Sequence, residues 1–189
     1  MVSVKRFIFL GPPGAGKGTQ AYKLAELCSV PHISTGEILR NEVALGTPLG
    51  TQAKSYQEKG ELVPDELILD MVGQRLSESD TQSGWILDGF PRNLSQAKFL
   101  DELLEKLEQK CDRVIDLEVP DEIIVERLLK RGRPDDTEEI IRHRLQVYRQ
   151  QTAPLIDYYI QRQLLVSVQG NQSMAEVTED LQKAVDLNC

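Results

Sequence analysis

Apolar residues fall along this chain in two rhythms. "RFIFL" (6–10) is apolar on both faces, as a central strand of a parallel sheet is. "PHIS" (31–34), "WILDGF" (85–90), "DRVIDLEV" (112–119) and "LLVSV" (164–168) are further short strands. Between them the apolar spacing turns helical. Ala21, Leu24, Ala25 and Cys28 share one face, and so do Ala97, Leu100, Leu104 and Leu107. The pattern predicts helices from the first turn through Cys28, from "PHIS" through Arg40, and over 64–77, 94–107, 121–130 and 174–185. A long helix over 137–160 should kink at Pro154. Residues 46–63 are richer in Gly and polar residues, with a short helix over 49–59, and read as a small insert. Strand–helix alternation predicts one α/β domain with a doubly wound, five-stranded parallel sheet flanked by helices. Ligands of such sheets sit beyond the carboxyl ends of the strands. That directs attention to residues 11–19, 34–40, 88–92 and 131–136.

Composition narrows the function classes. At 189 residues the chain is long enough for one domain with a substantial core. No apolar run approaches the length needed to cross a bilayer, and Phe7 to Leu10 is too short for a leader's apolar core. The expected location is the cytoplasm. Cys28, Cys111 and Cys189 are far apart and odd in number, so reduced thiols are expected and a zinc site is not. A net charge of -8 argues against nucleic acid and anionic membrane as partners. An anionic ligand would need positive charge gathered locally.

"GPPGAGKGT" (11–19) supplies the first chemistry. It follows a strand, opens a helix, and nearly matches the phosphate loop G-x-x-x-x-G-K-[ST]. Glycines there let backbone N–H groups converge on phosphate oxygens, and Lys17 can reach the terminal phosphates. The hydroxyl residue that normally holds Mg²⁺ is replaced by Gly18, and Thr19 comes one place late. Asp88 closes a strand, the position of an acid that helps hold Mg²⁺ in such loops, although Asp-Gly also marks plain turns. Arg40, Arg92, Arg127, Arg131, Arg133 and Arg144 lie at or just after strand ends, and a guanidinium grips phosphate bidentately. Arg127 and Arg131 are four apart and share a helix face. His32 reads as structural and His143 as an exposed helical residue; no Ser–His–acid set and no base stands out. A kinase acting on a phosphate needs none, because that oxygen is already ionised.

"GPPGAGKGTQ", "HISTGEILR", "GELVP", "DGFPRNLSQA", "RLLKRGRPDD" and "RHRLQVYRQQTAPLIDYY" together make the chain resemble the nucleoside monophosphate kinases, and most closely the adenylate kinases. A phosphate loop ending Gly-Lys-Gly-Thr is that family's form. The resemblance implies a P-loop NTPase fold, a monophosphate-binding insert over 34–63 and a minimal lid over 131–134. It implies ATP + AMP ⇌ 2 ADP with Mg²⁺ by in-line transfer, with ATP, AMP and ADP as partners of a monomer. Gly14, Ala15, Gly16, Lys17, Gly18 and Thr19 would hold ATP's phosphates, with Mg²⁺ reached through water by Asp88. Arg127, Arg131 and Gly170 would face ATP. Thr35, Arg40, Glu61, Leu62, Val63, Gly89, Phe90, Pro91, Arg92 and Gln96 would form the AMP side. Arg133 and Arg144 would bridge both nucleotides, and Lys17, Arg92, Arg127, Arg131, Arg133 and Arg144 would carry catalysis. Asn93-x-x-Gln96 also has the form of a capping box, as do Ser34-x-x-Glu37 and Asp136-x-x-Glu139, so Gln96 has a purely structural alternative. Relative to the family, Glu37 replaces a common Asp, and only Gly132 separates Arg131 from Arg133 where a longer lid is usual. A UMP/CMP kinase is the nearest alternative, against which Thr35 and Gln96 point to adenine. A non-catalytic nucleotide-binding module is the more distant one.

Overall fold

In a computed structural model, residues 5–185 are described; Cys189 lies outside them. Five strands form one sheet: β1 (Lys5–Leu10), β2 (His32–Ser34), β3 (Gly84–Asp88), β4 (Arg113–Glu118) and β5 (Leu165–Gln169). Their order is β2-β3-β1-β4-β5 and every pairing is parallel. β1 stands at the centre, where the winding reverses, so the loop that follows it opens at the switch point.

The central strands β1, β3 and β4 are buried on both faces, and alternate residues feed two cores. Ile8, Leu10, Trp85, Leu87 and Val114 face one side. There they meet α4 (Asp65–Leu76), α5 (Leu94–Lys106) and α8 (Pro154–Ile160) through Val72, Leu100, Leu155 and Tyr159. Phe7, Phe9, Ile86, Ile115 and Leu117 face the other, against α1 (Lys17–Cys28) and α9 (Met174–Ala184). A third cluster joins Ile124, Val125 and Leu128 of α6 (Asp121–Arg131) to Ile141 and Leu145 of α7 (Glu138–Val147). Among the described residues no helix is long and apolar enough to cross a membrane.

The helix after β2, α2, runs Thr35–Leu45, past the expected stop at Arg40. Gly46 ends it in the left-handed conformation, φ 66°. The following α3 (Pro48–Lys59) packs so closely on α2 that a Cβ on Gly50 would lie 2.1 Å from the Glu42 carbonyl oxygen. A 3-10 turn, Ser79–Ser83, was not evident in the periodicity.

The expected kink at Pro154 takes the form of a π-helical turn over Tyr148–Thr152. Ala153 donates its N–H to the Tyr148 carbonyl at 2.8 Å, five residues back. Proline has no N–H to continue the α ladder and its ring crowds the preceding turn, and one extra residue per turn accommodates both.

Candidate active site

The loop between β1 and α1 is shaped by glycine. Gly14 has φ 81°, and a Cβ there would meet Leu128 at 2.8 Å. The α1 N-terminus has no side-chain cap and no acidic residue in its first turn, which suits it to an anionic ligand. Lys17 curls over this loop and donates Nζ–H to the carbonyls of Gly11 at 2.7 Å and Pro12 at 2.9 Å. Loss of water lowers its pKa to about 8; Asp88 and Asp116 work against that, while Arg92 and Arg131 add to it.

Gly18 stands opposite Asp88: a Cβ on it would lie 3.4 Å from Asp88 Oδ2. The space a residue-18 hydroxyl would take is therefore fronted by a carboxylate. Burial alone would raise the Asp88 pKa, but His32, Lys17 and Arg92 hold it below the ordinary value, so it is ionised. An ionised carboxylate beside a phosphate loop suits a hard cation that keeps most of its waters. Among the described residues no three His, Cys, Asp or Glu gather as a metal cluster.

Guanidinium groups converge in front of this loop. A Cβ on Gly36 would meet Arg40 Nη1 at 3.3 Å and Arg92 Nη2 at 3.7 Å, so these two heads share the start of α2. Burial lowers the Arg92 pKa most; Asp88 opposes, and Arg144 and Arg40 lower it further. Arg133 is lowered in the same way by burial, then by Arg131 and Arg40. Buried cations depressed further by neighbouring cations mark a place where negative charge is wanted. Arg127 and Arg131 share α6 but part at their tips. Arg127 donates to the Gly170 carbonyl at 2.9 Å. Arg131 forms a bidentate pair with Asp136, at 2.8 and 2.6 Å.

The turn after β3 supports the other half. Thr35 is buried and donates its hydroxyl to the Gly89 carbonyl at 2.8 Å. Arg92 Nε donates to the same carbonyl at 2.6 Å, and Thr152 of the π turn donates to the Arg92 carbonyl at 2.7 Å. Phe90 is fully buried, and the Phe90–Pro91 bond is cis. Gln96 is 2% exposed, with both ends of its amide bonded. Half of the capping box exists: Asn93 caps α5 by accepting from the Gln96 N–H at 2.8 Å. Gln96 returns its oxygen to the N–H of Arg92 rather than Asn93. Ser34 likewise caps α2, but Thr137, not Asp136, caps α7. Val63 is buried, Leu62 half-buried and Glu61 exposed, in the link from α3 to α4. The end of α3 reaches across to α7: Arg144 Nη2 donates to the Gln57 carbonyl at 3.3 Å.

Behind the loop lies a cavity of about 220 Å³ lined by Gly14, Ala15, Gly16, Thr19, Arg127 and Gly170. It is completed by Gln20, Gln172, Met174 and Val177. A Cβ on Gly170 would meet Val119 at 2.6 Å and the Ala15 carbonyl oxygen at 3.3 Å. Gln20 ties this wall together, donating to the Met174 carbonyl at 3.1 Å and accepting from Thr178 at 2.8 Å.

The family model for adenylate kinase matches residues 9–164. The chain is 60% identical to adenylate kinase 1 of Nostoc sp. over 176 residues, covering 93% of this chain and 96% of that one. It is 57% identical to adenylate kinase 1 of Synechocystis sp. over 185 residues, covering 98% and 99%. It is 49% identical to the adenylate kinase of Corynebacterium urealyticum over 181 residues, covering 96% and 99%. The chain belongs to the adenylate kinase family. That makes it a phosphotransferase of a family whose reaction is ATP + AMP ⇌ 2 ADP.

Some residues of the cleft carry little mark in the sequence. His32 is beside the site, with Nε2 3.8 Å from Asp88 Oδ2. His143 is half-buried rather than exposed. Asp135 and Asp136 partner the arginines: Arg144 pairs with Asp135, and Asp136, buried, accepts from Arg131 and Arg144. The adjacent acids in "RGRPDD" were the available signal. Gln172 and Met174 carried none, since neither is charged nor periodic with a motif.

Proposed function

We propose that this chain carries out the family reaction in the cleft beyond β1 and β3, with ATP over the phosphate loop and AMP between α2, the α3–α4 link and α5. The observation that carries this is the convergence of Lys17, Arg40, Arg92, Arg133 and Arg144. Burial, and after it neighbouring cations, lowers the proton affinity of Lys17, Arg92 and Arg133 in front of a helix start with no side-chain cap. Two sets of phosphates are the anions that such a cluster suits.

The roles follow from position. The N–H groups of Gly14, Ala15, Gly16, Gly18 and Thr19 would cradle ATP's phosphates. Lys17 would leave the Gly11 and Pro12 carbonyls for the transferred phosphoryl. Arg127, Gly170 and the cavity behind the loop would take ATP's ribose and base. Arg40 and Arg92 would hold the AMP phosphate, Thr35 would border the AMP base, and Glu61, Leu62, Val63 and Gly89 would line the AMP pocket. Gln96 would read the adenine edge. Arg131, Arg133 and Arg144 would screen charge as the phosphoryl passes between oxygens. Asp88 would hold Mg²⁺ through water; when bound, that ion neutralises phosphate charge and aligns the oxygens. The attacking oxygen of AMP is already ionised, so the chain supplies no base.

Residues 34–63 act in this reading as the insert that covers AMP, and 131–134 as a minimal lid. The contact between Arg144 and Gln57 supports the first. A single cleft taking both nucleotides fits a monomer, and the cytoplasm is the location expected of it.

The purified protein with Mg-ATP should make ADP from AMP far faster than from CMP or UMP. Equal turnover of CMP would transfer the chain to the pyrimidine kinases, and no turnover of any monophosphate would leave a nucleotide-binding module. Lys17→Met should lose most activity, by a factor on the order of a thousand, with the circular dichroism spectrum unchanged.

A further inference from the structure

The Gln96 amide is held by groups whose polarity leaves no choice. Its Oε1 accepts from the backbone N–H of Arg92 at 2.7 Å, and its Nε2 donates to Asp65 Oδ1 at 2.8 Å. The same Asp65 oxygen accepts from Asn93 Nδ2 at 3.0 Å, while Asn93 Oδ1 accepts from the backbone N–H of Gln96 at 2.8 Å. A backbone N–H only donates and an ionised carboxylate only accepts. Turning either amide over would set donor against donor and acceptor against acceptor, in a place where Gln96 is almost wholly buried. Asp65 reaches this pair from another element, the first turn of α4. A helix cap alone needs only Asn93. The carboxylate that completes the ring therefore has an effect beyond capping: it fixes which end of the Gln96 amide is oxygen.

We propose that Asp65 is a specificity-determining positioning residue: by fixing the Gln96 amide, it makes the monophosphate site accept purines with a 6-amino group and reject those with a 6-oxo group. The inference rests on the reading that Gln96 faces the AMP base. With one N–H to Asp65 and one lone pair to Arg92, Gln96 keeps one N–H and one lone pair. Adenine matches both, its 6-amino group donating to Oε1 and the ring nitrogen beside it accepting from Nε2. A 6-oxo purine would put its oxygen against Oε1. Only a turned amide would welcome it, and Asp65 and the Arg92 N–H both oppose the turn.

The unmutated protein tests the orientation with purine riboside 5′-monophosphates that differ only at C6. Binding should fall in the order amino, hydrogen, oxo, by about tenfold at each step; an oxo compound that binds better than the hydrogen compound overturns the assigned orientation. Asp65→Asn keeps the size of the side chain but offers donors as well as an acceptor. It should lower kcat/KM for AMP and raise it for IMP, narrowing their ratio by about tenfold, with the KM for ATP unchanged. A parallel fall for both substrates would mean that Asp65 merely supports the fold, and would overturn the proposal. Gln96→Ala separates the two levels. If it leaves the AMP-to-IMP ratio at the unmutated value, the base-reading role fails and this inference with it. If the ratio collapses in Gln96→Ala but holds in Asp65→Asn, only the role of Asp65 falls.

Discussion

Lys17 and Asp116 are both charged groups short of water, and they respond to pH in opposite ways. Lys17 has a pKa of about 8 in the nucleotide-free cleft. Phosphates favour its charged form and raise that value on binding. Between the two values the bound state holds more protons than the empty one. ATP affinity should then be full below pH 8 and fall above it, by up to about tenfold per pH unit. Calorimetry in buffers of different ionisation enthalpy would show the proton uptake at pH 9; a Kd flat from pH 7.5 to 9.5 would sink the idea. Asp116 lies within β4, paired with Leu10, 3% exposed, with Oδ1 lacking a hydrogen-bond partner. Burial, then Glu118, raises its pKa to about 6 from the ordinary 3.8. Between those values the folded state binds more protons, so stability falls as pH rises through that window, and the penalty is full above it. Asp116→Asn should stabilise the protein by about 1–2 kcal/mol at pH 7.5 and by nothing near pH 4. Thermal unfolding at the two pH values checks this.

At the scale of elements, motif and periodicity were legible where one residue type had one cause. Gly11, Gly16, Lys17 and Asp88 could be placed from spacing because strand, loop and helix leave them nowhere else. Asp65 and Asp136 could not, because an acid in a first turn or a polar loop looks like any solvated charge until its partners arrive from α5 or α6. The nearness of His32 to Asp88 was hidden for a similar reason: the two are 56 residues apart in sequence and adjacent only through the β2–β3 pairing. The α2–α3 contact was equally hidden, since a helical glycine has no sequence signature of close packing. It gives a direct test. Gly50→Ala would drive a methyl into the α2 backbone at Glu42, a cost of about 1–3 kcal/mol. The KM for AMP should rise at least about tenfold while ATP binding holds; an unchanged AMP KM would separate this pair of helices from the monophosphate site.

Across the whole molecule, the cleft is closed by short pieces. Residues 132–137 are all that joins α6 to α7, and the α3 end touches α7 through Gln57 and Gly60. In the proposed reading, with so little cover over ATP, exclusion of water would fall to the arginine–acid network and to the helices on the AMP side. Hydrolysis of Mg-ATP in the absence of AMP should therefore run at least about a hundredfold below transfer to AMP. Malachite-green detection of phosphate would reveal a faster rate, which would show that water reaches the terminal phosphate without the second nucleotide.

The π turn at Tyr148–Thr152 acts as a change of phase in one helical rod. Before it, Ile141 and Leu145 point to the α6 cluster; after it, Leu155 and Tyr159 point to the sheet. Each residue of an α-helix advances the side-chain direction by about 100°. Removing one residue from this turn would restore regular winding and swing Leu155 and Tyr159 out of the main core by that angle. It would also withdraw Thr152 from the Arg92 carbonyl. A residue lost well down the chain from Arg92 would thus be felt as a mis-set arginine in the cleft.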